Sequence, residues 1–473
     1  MSGSLRSDTP APPKPRGRLP ILGHALLIGR DVLGSLDRWA EEVGDIYRVD
    51  LPTLNMWVVN RPDEIERILV HAQHFTLNIT LRRAHELFGN GLFRSEGALW
   101  KKQRRMMQPA FHKERVAAYG QRMVYLTEQA LTAWVPGEVR DVHKDAMALT
   151  LKIVTDTLFG DDEVPSAGVS HGLEAVMSRF DGARTLLPPW LLFGAMTRYR
   201  NGIAQLDKIV YDVIARRREH RAERADLLSI LLEAQDDDGT GMSDRQLRDE
   251  MLTLLLAGHE TLANALSWTC YLLARHPDAE RKLLHEADAL DGPPTAADLH
   301  RLPYTAAVLN EAMRLYPPGW FLSREVRDDW EIAGFRVERG TQVAMIPWVV
   351  HRDRRYFAEP LRFLPERWLD GSTDALPTYA YFPFGGGQKL CIGRSFALLE
   401  GALLMATVAR RYRLRPVSDR EVVPLPSFTL RPSGGMPMRI ERRSPAFAER
   451  TATIDPSSDT NREWTGERSG NPF

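Results

Sequence analysis

The residue with the clearest chemical potential is Cys391, which stands in FPFGGGQKLCIGR behind three glycines (Gly385–Gly387) and a base, and ahead of Gly393. A thiolate is a soft ligand for a transition metal, and it forms where amide dipoles or positive charges face the sulfur. Glycines allow close backbone approach and let several N–H groups point at one atom. The helical run that follows predicts Cys391 at a helix N-terminus, where the dipole favours the anion. An arbitrary cysteine in a glycine turn is more often core filler. Here the fixed offsets of Phe384, the glycines, Lys389, Cys391 and Gly393 outweigh that reading.

A second constellation is AGHET, Ala257 to Thr261. An acid and an alcohol inside an otherwise apolar helix are costly unless they hydrogen-bond or act. His259 and Glu260 invite a zinc-protease reading, but that motif needs a second histidine where Ala263 stands. The run Gly385–Gly387 is no dinucleotide loop either, lacking the preceding strand and the acidic residue about twenty positions on. Trp100 and Arg104 lie four apart and Glu311 and Arg314 three apart, so each pair shares a helix face. The first pair can bring an indole N–H and a guanidinium to one carboxylate; the second can form an ion pair.

The elements that position these residues follow from patterning. GDIYRVDL from Gly44 and NMWVVN from Asn55 predict a hairpin. From Pro62 to about His285, apolar residues recur at three and four spacing between glycine- and proline-containing loops, which predicts a helical block. A Ser243/Gln246 capping box marks the start of the long apolar helix carrying AGHET. Strand character returns from Glu331 to Val350 (EIAGFRVERG, TQVAMIPWVV), so sheet segments from both ends of the helical block are expected to meet. An irregular stretch from His351 to Phe384, a helix from Cys391 to Arg411 and short strands around Leu425 to Arg443 complete the pattern. The expected fold class is mainly α with small β-sheets (α+β). The expected organisation is a flexible proline-rich leader (1–18), a single domain (19–443) and a disordered tail (444–473).

Composition excludes several classes. Lys+Arg and Asp+Glu balance at 62 each, leaving no global field for nucleic acid. Two cysteines, Cys270 and Cys391, make a disulfide framework implausible and fit a reducing cytoplasm. His24 and its glycines interrupt the first greasy stretch. Met251 to Ala274 holds His259, Glu260 and Asn264 at its centre, so a core helix is expected and no membrane span.

Nearly the whole chain, from the leader to LRPSGGMPMRI, resembles the cytochrome P450 family of haem-thiolate monooxygenases, with the motifs in family order. FPFGGGQKLCIGR is similar to F-G-x-G-x-R-x-C-x-G and matches at Phe384, Gly385, Gly387, Cys391 and Gly393; Lys389 stands where arginine or histidine is usual. The resemblance implies a P450-type fold, haem b (iron protoporphyrin IX) as cofactor and Cys391 as iron ligand. It implies propionate contacts at Trp100, Arg104, Arg324 and Lys389, the last as a point charge without arginine's planar fork. AGHET is similar to A-G-x-[DE]-T, implying that Ala257 and Gly258 leave room for oxygen, that Thr261 hydrogen-bonds it and that Glu260 relays protons through water. PERW supplies Arg367, which the resemblance joins to Glu311 and Arg314 in a structural cluster bracing the haem loop. The implied pocket is lined by the loop from Asn78 to Leu92, an apolar lid from Leu186 to Phe193, Ala257, the turn after Pro318 with Phe321, and the loop from Phe428 to Leu430 with Thr429.

The implied reaction oxidises a lipophilic small molecule of terpenoid, steroid, fatty acyl or polyketide type with dioxygen. Two electrons come from a separate ferredoxin or flavodoxin plus reductase, since the chain shows no flavin or iron–sulfur module. Lys101, Lys102, Arg105 and Arg394 are expected to form a basic docking patch for an acidic carrier. Two other functions suit the same residues, a peroxide-driven haem-thiolate oxidase or isomerase and a non-catalytic haem-binding sensor. The Glu260/Thr261 pair favours oxygen activation over both.

Overall fold

The computed structural model describes residues 11–443 except 53, 161–163, 181–192, 220–225 and 237–238. The tail expected at 444–473 and the side chains of the lid expected at 186–193 lie outside the described residues.

The expected hairpin forms from β1 (Ile46–Leu51) and β2 (Leu54–Val59), paired antiparallel with Ile46 opposite Val59. Ten further strands follow among the described residues: β3 (Phe75–Leu77), β4 (Val139–Asp141), β5 (Leu322–Val326), β6 (Trp330–Ile332), β7 (Phe335–Val337), β8 (Gln342–Met345), β9 (Tyr412–Pro416), β10 (Pro424–Pro426), β11 (Leu430–Pro432) and β12 (Pro437–Arg442). The largest sheet has the order β1-β2-β8-β5-β3. Its β2–β8 pair is parallel, with Trp57 beside Val343. A parallel pair needs a long crossover, and here the crossover contains the whole helical block, so both ends of that block do meet. TQVAMIPWVV is not one strand, however. β8 stops at Met345, and Pro347–Val350 forms a helical turn with Pro347 in its first turn, where the missing N–H costs no bond.

The leader also needs correction. Within 11–18, Pro13 O accepts from Arg48 N at 2.9 Å, Pro15 O lies 3.1 Å from His24 Nε2, and Lys14 and Arg18 each bond Asp50 at 2.7 Å. This segment is tied to β1 rather than free.

The helix Asp244–Arg275 has 32 residues and is about 48 Å long. Ser243 caps it, its Oγ accepting from Gln246 N at 3.2 Å. Gln246 does not return the bond to complete the expected capping box, because its Nε2 donates to Glu250 Oε1 at 2.7 Å. Between Leu247 and Leu273 every residue is buried except Ala257, Gly258 and Thr261. A helix buried all round belongs in an interior; these three residues, at i, i+1 and i+4, open a window in it.

The apolar core divides at the same place. Leu247 to Leu256 contribute to one cluster with Leu151, Leu158 and Leu206, and Leu262 to Leu273 to another with Val308, Ala402 and Leu403. Residues 257–261 belong to neither. The site therefore lies on a seam between two cores.

Candidate active site

The Cys391 loop spans that seam, Phe384 packing against the second cluster and Ile392 against the first. Gly385 N donates to Phe382 O at 3.0 Å and Cys391 N to Phe384 O at 3.1 Å, which closes the loop. Gly385 and Gly387 adopt left-handed backbone, with φ of 72° and 60°. A Cβ on Gly387 would lie 2.1 Å from Leu69 O, and one on Gly386 2.2 Å from the Tyr379 ring. The close approach that these two glycines allow is to the protein's own neighbours, Leu69 and Tyr379. Gly385→Ala meets only Leu322 Cδ2 at 3.5 Å and is expected to cost about 1–2 kcal/mol for its backbone conformation. Gly387→Ala carries the same term plus a collision with main chain. Urea unfolding of the two variants should rank Gly387→Ala clearly the worse.

The following helix begins at Arg394 behind Gly393, so Cys391 precedes the first turn instead of opening it. This corrects the helix-dipole argument. Cys391 is solvent-accessible at its own surface yet surrounded by protein. That surrounding mass pushes its thiol pKa up, while a bond from the Gly393 amide and the charges of Arg104 and Arg394 pull the other way. Cys270 is buried in the core, and burial pushes its thiol up to about 12, an inert group by comparison.

Three cations gather beside the loop. Arg104, on the helix Gly97–Met107, donates to Leu390 O at 3.0 Å, next to Cys391. Lys389 Nζ donates to Ser95 O at 2.6 Å and sits 4.7 Å from the Trp100 ring centre. Arg324, on β5, donates to Ser323 O at 2.9 Å. Burial, and then the Arg324 charge, bring the Lys389 ammonium down to about 8; burial likewise lowers Arg104 and Arg324. Among the described residues no carboxylate lies within ion-pair distance of these three. Glu96 acts on Arg324 and Lys389 only from beyond that distance; partly buried cations so weakly compensated are costly, and a group bearing two carboxylates beside a thiolate-ligated metal would offset that cost. The donor set therefore fits a haem.

On the long helix, Thr261 Oγ donates to Ala257 O at 2.7 Å. Its proton is thus committed, and what the hydroxyl offers to the window is acceptor lone pairs. Gly258 has a different reason from the one expected. A Cβ there would lie 2.9 Å from Val154 Cγ2 on the helix Val142–Phe159, so its size is set by helix packing. Glu260 is almost wholly buried, receives Arg431 Nε at 2.6 Å and accepts from the Thr429 hydroxyl. Burial works to raise its pKa, but the Arg431 charge and the bonds from Arg431 and Thr429 outweigh it and hold the carboxyl below its ordinary value.

Two expected pocket residues are elsewhere. Thr429 is buried with its hydroxyl engaged by Glu260, and Leu430 is fully buried in the cluster with Leu36 and Trp348. Phe321 is half-buried against Trp320, and Ala257 is exposed. Phe428, in the loop expected to line the pocket, has an aromatic partner that the sequence did not reveal. Phe93, 41% exposed, meets half-buried Phe428 at 6.1 Å between ring centres. Phe93 lies one residue beyond the other loop singled out, between Leu92 and the polar run Arg94–Glu96, where nothing in the local pattern marks it.

That loop is clasped by consecutive residues of the long helix. Arg248 donates to Leu87 O at 2.9 Å, Asp249 accepts from Asn90 N at 2.8 Å, and Glu250 accepts from Leu92 N at 2.8 Å. Burial pushes the Glu250 pKa from 4.5 up to about 7. A raised carboxyl binds more protons folded than unfolded, so stability falls as pH rises from about 4.5 to about 7 and levels off above. The loss expected is of order 3 kcal/mol, read as the pH dependence of the urea midpoint; Glu250→Gln should flatten it.

The brace behind the loop is complete. Glu311 takes two bonds from Arg314 at 2.8 Å, one from Arg367 Nε at 3.1 Å, one from Trp368 Nε1 at 3.0 Å and one from Leu364 N at 2.9 Å. Arg314 also donates to the carbonyls of His351 (2.8 Å), Pro360 (2.6 Å) and Arg362 (3.1 Å). His351 Nε2 accepts from Phe382 N at 3.0 Å, which links the cluster to the loop that carries Cys391. The docking patch is less uniform than expected, because Asp236 pairs with Lys102 at 2.8 Å and approaches Arg105 at 3.9 Å. Lys101 and Arg105 are exposed, and Arg394 is half-buried.

No helix among the described residues is long and apolar enough to cross a membrane. In comparisons with known proteins, residues 12–437 match the family described as Cytochrome P450. The chain is 36% identical to cyclooctatin synthase of Streptomyces melanosporofaciens over 88% of this chain and 92% of that protein. It is 31% identical to pentalenene oxygenase of Streptomyces avermitilis, covering 91% and 97%. The crystal structure of the cytochrome P450DA heme domain superposes with a TM-score of 0.84 at 26% identity, covering 92% of this chain and 99% of that one. With a matching fold, a single accessible cysteine in the glycine loop and this breadth of similarity, the chain belongs to the cytochrome P450 family of haem monooxygenases.

Proposed function

We propose that this enzyme oxygenates a terpenoid, using haem b ligated by Cys391 and electrons from a separate ferredoxin or flavodoxin. Two relatives carry names that denote oxidation of terpenoids, cyclooctat-9-en-7-ol 5-monooxygenase and pentalenene oxygenase. The observation that carries the reading is the break in burial of the long helix at Ala257, Gly258 and Thr261. Haem, when bound, supplies dioxygen activation and oxidising power.

The remaining roles fall to the chain. Arg104, Arg324 and Lys389 neutralise the propionates, and Trp100 backs the Lys389 ammonium. Cys391 would hold the iron as its thiolate, the form that the Gly393 amide, Arg104 and Arg394 favour against burial, with its proton released to solvent. Thr261, its proton bound to Ala257 O, accepts a hydrogen bond from the window side. Glu260, adjacent to Thr261 in the long helix, is the carboxylate through which protons are exchanged. Phe93, Phe428, Ala257 and Phe321 offer an apolar, water-excluding surface. Residues 11–443 act as one catalytic domain. Lys101, Arg105 and Arg394 receive the electron carrier.

The test is a panel of ligands titrated into the holoenzyme, followed by turnover under ¹⁸O₂. A cyclic terpene alkene or alcohol is expected to shift the iron spin state and to gain one labelled oxygen. A shift with fatty acids or steroids and none with terpenes would overturn the substrate class.

A further inference from the structure

One stripe of the long helix grips the C-terminal hairpin β10–β11. Glu260, Asn264 and Trp268 are spaced by four, so they share a face. Glu260 binds Arg431 and Thr429, Asn264 Nδ2 donates to the Thr429 hydroxyl at 3.0 Å, and Trp268 Nε1 donates to Leu430 O at 3.1 Å. All three helix side chains are buried. The Thr429 hydroxyl accepts from Asn264 and so directs its own proton at Glu260 Oε1, the same oxygen that receives Arg431 Nε. A carboxyl oxygen taking two donors, one of them charged, is an acceptor and not a proton donor.

We propose that Arg431 is a positioning residue that holds Glu260 as an anion and seats the β10–β11 hairpin on the long helix, so that acid and hairpin move as one unit. Phe428 sits on the same hairpin turn and touches Phe93, so a substrate that displaces the Phe428 side of the turn also pulls on Thr429 and Arg431. Pocket occupancy is thereby coupled to the state of the acid. This rests on the reading of Glu260 as the acid used for proton exchange. The other titratable groups facing Glu260 are His259 on its own helix and His143 on the Val142–Phe159 helix, with Asp141 behind His143. Burial lowers the pKa of both histidines, so at neutral pH neither replaces the Arg431 charge.

The experiment compares wild type, Arg431→Met, Arg431→Lys and Glu260→Gln. Infrared difference spectra, each resting protein minus Glu260→Gln, read the protonation of Glu260 as a carboxylic-acid C=O band, the other carboxyls that burial raises, Glu250 and Glu400, cancelling between the two. Wild type and Arg431→Lys are expected to lack the band at neutral pH, and Arg431→Met to show it. The Glu260-dependent limb of the pH–rate profile should move upward by at least about one pH unit in Arg431→Met, the effect of removing an adjacent opposite charge, and return in Arg431→Lys. If Arg431→Met does not fold, Thr429→Val removes the second donor and should move the limb the same way by less. No band and an unmoved limb in the folded variants would overturn the proposal. Wild-type turnover in Glu260→Gln would instead reject the proton role of Glu260, while the infrared outcome still decides what holds its charge.

Discussion

Cys391→Ala is expected to abolish turnover and the thiolate-type Soret band of the reduced carbon monoxide complex while leaving the protein folded. Loss of even the outer partners of a metal ligand costs about 10–100-fold in affinity or activity, so removal of the ligand itself should exceed about 100-fold. Folding should survive because the Cys391 side chain is not part of either core cluster; the loop is closed by main-chain bonds from Gly385 and Cys391 that alanine keeps. Absorption spectra of the purified variant, with circular dichroism as the folding control, make the check. An unchanged band would reject Cys391 as the ligand. Cys270→Ala is the matched control, and its spectrum should equal that of wild type.

The largest loss of stability should come from Arg314→Ala. Removing one partner of a buried ion pair typically costs about 3–5 kcal/mol, because the other charge stays behind unpaired. Here Glu311 would keep only Arg367 as a charged partner, and three carbonyls would lose their donor. Arg314→Lys should not rescue it, since one ammonium cannot reach acceptors spread around a planar fork. Adding Glu311→Ala to Arg314→Ala should cost far less than the sum of the two single losses, as expected for residues in one network. Urea midpoints and haem retention during gel filtration measure both claims. Because Arg314 reaches the Cys391 loop through His351 and Phe382, haem should be lost at lower urea than helical signal.

The amount of site legible from sequence depended on how local its cause was. The Glu311–Arg314 pair is set by a short spacing and forms as that spacing predicts; Trp100 and Arg104 share their helix, but Arg104 turns to the Leu390 carbonyl, and Cys391 stands ahead of the helix it was expected to open. The glycines were recognised, but the reasons for two of them, Leu69 and Tyr379, come from remote chain. Gly258 is the same case, its partner Val154 lying over a hundred residues away in sequence. The strand β9 went unread because YRLRP follows the last helix without a turn signal, and β3, at three residues, is too short to show alternation. Arg431 was overlooked, although an arginine between buried Leu430 and Pro432 in a short strand is a recognisable oddity. Thr429 and Leu430 were assigned to the pocket by position, whereas hydrogen bonding to the long helix turns them inward.

The division of the core at residues 257–261 has a consequence for how the molecule comes apart. The two apolar bodies meet along the long helix, along the Val142–Phe159 helix, which gives side chains to both, and at the Cys391 loop, and each is a cooperative unit able to open without the other. Hydrogen exchange should then report one opening energy for amides of Leu247–Leu256 and another for Leu262–Leu273. A prosthetic group lying across the seam contributes stability to both units by binding only when they are assembled. It serves as a keystone as well as a reagent, and the marginal stability of the enzyme becomes a property of its loading.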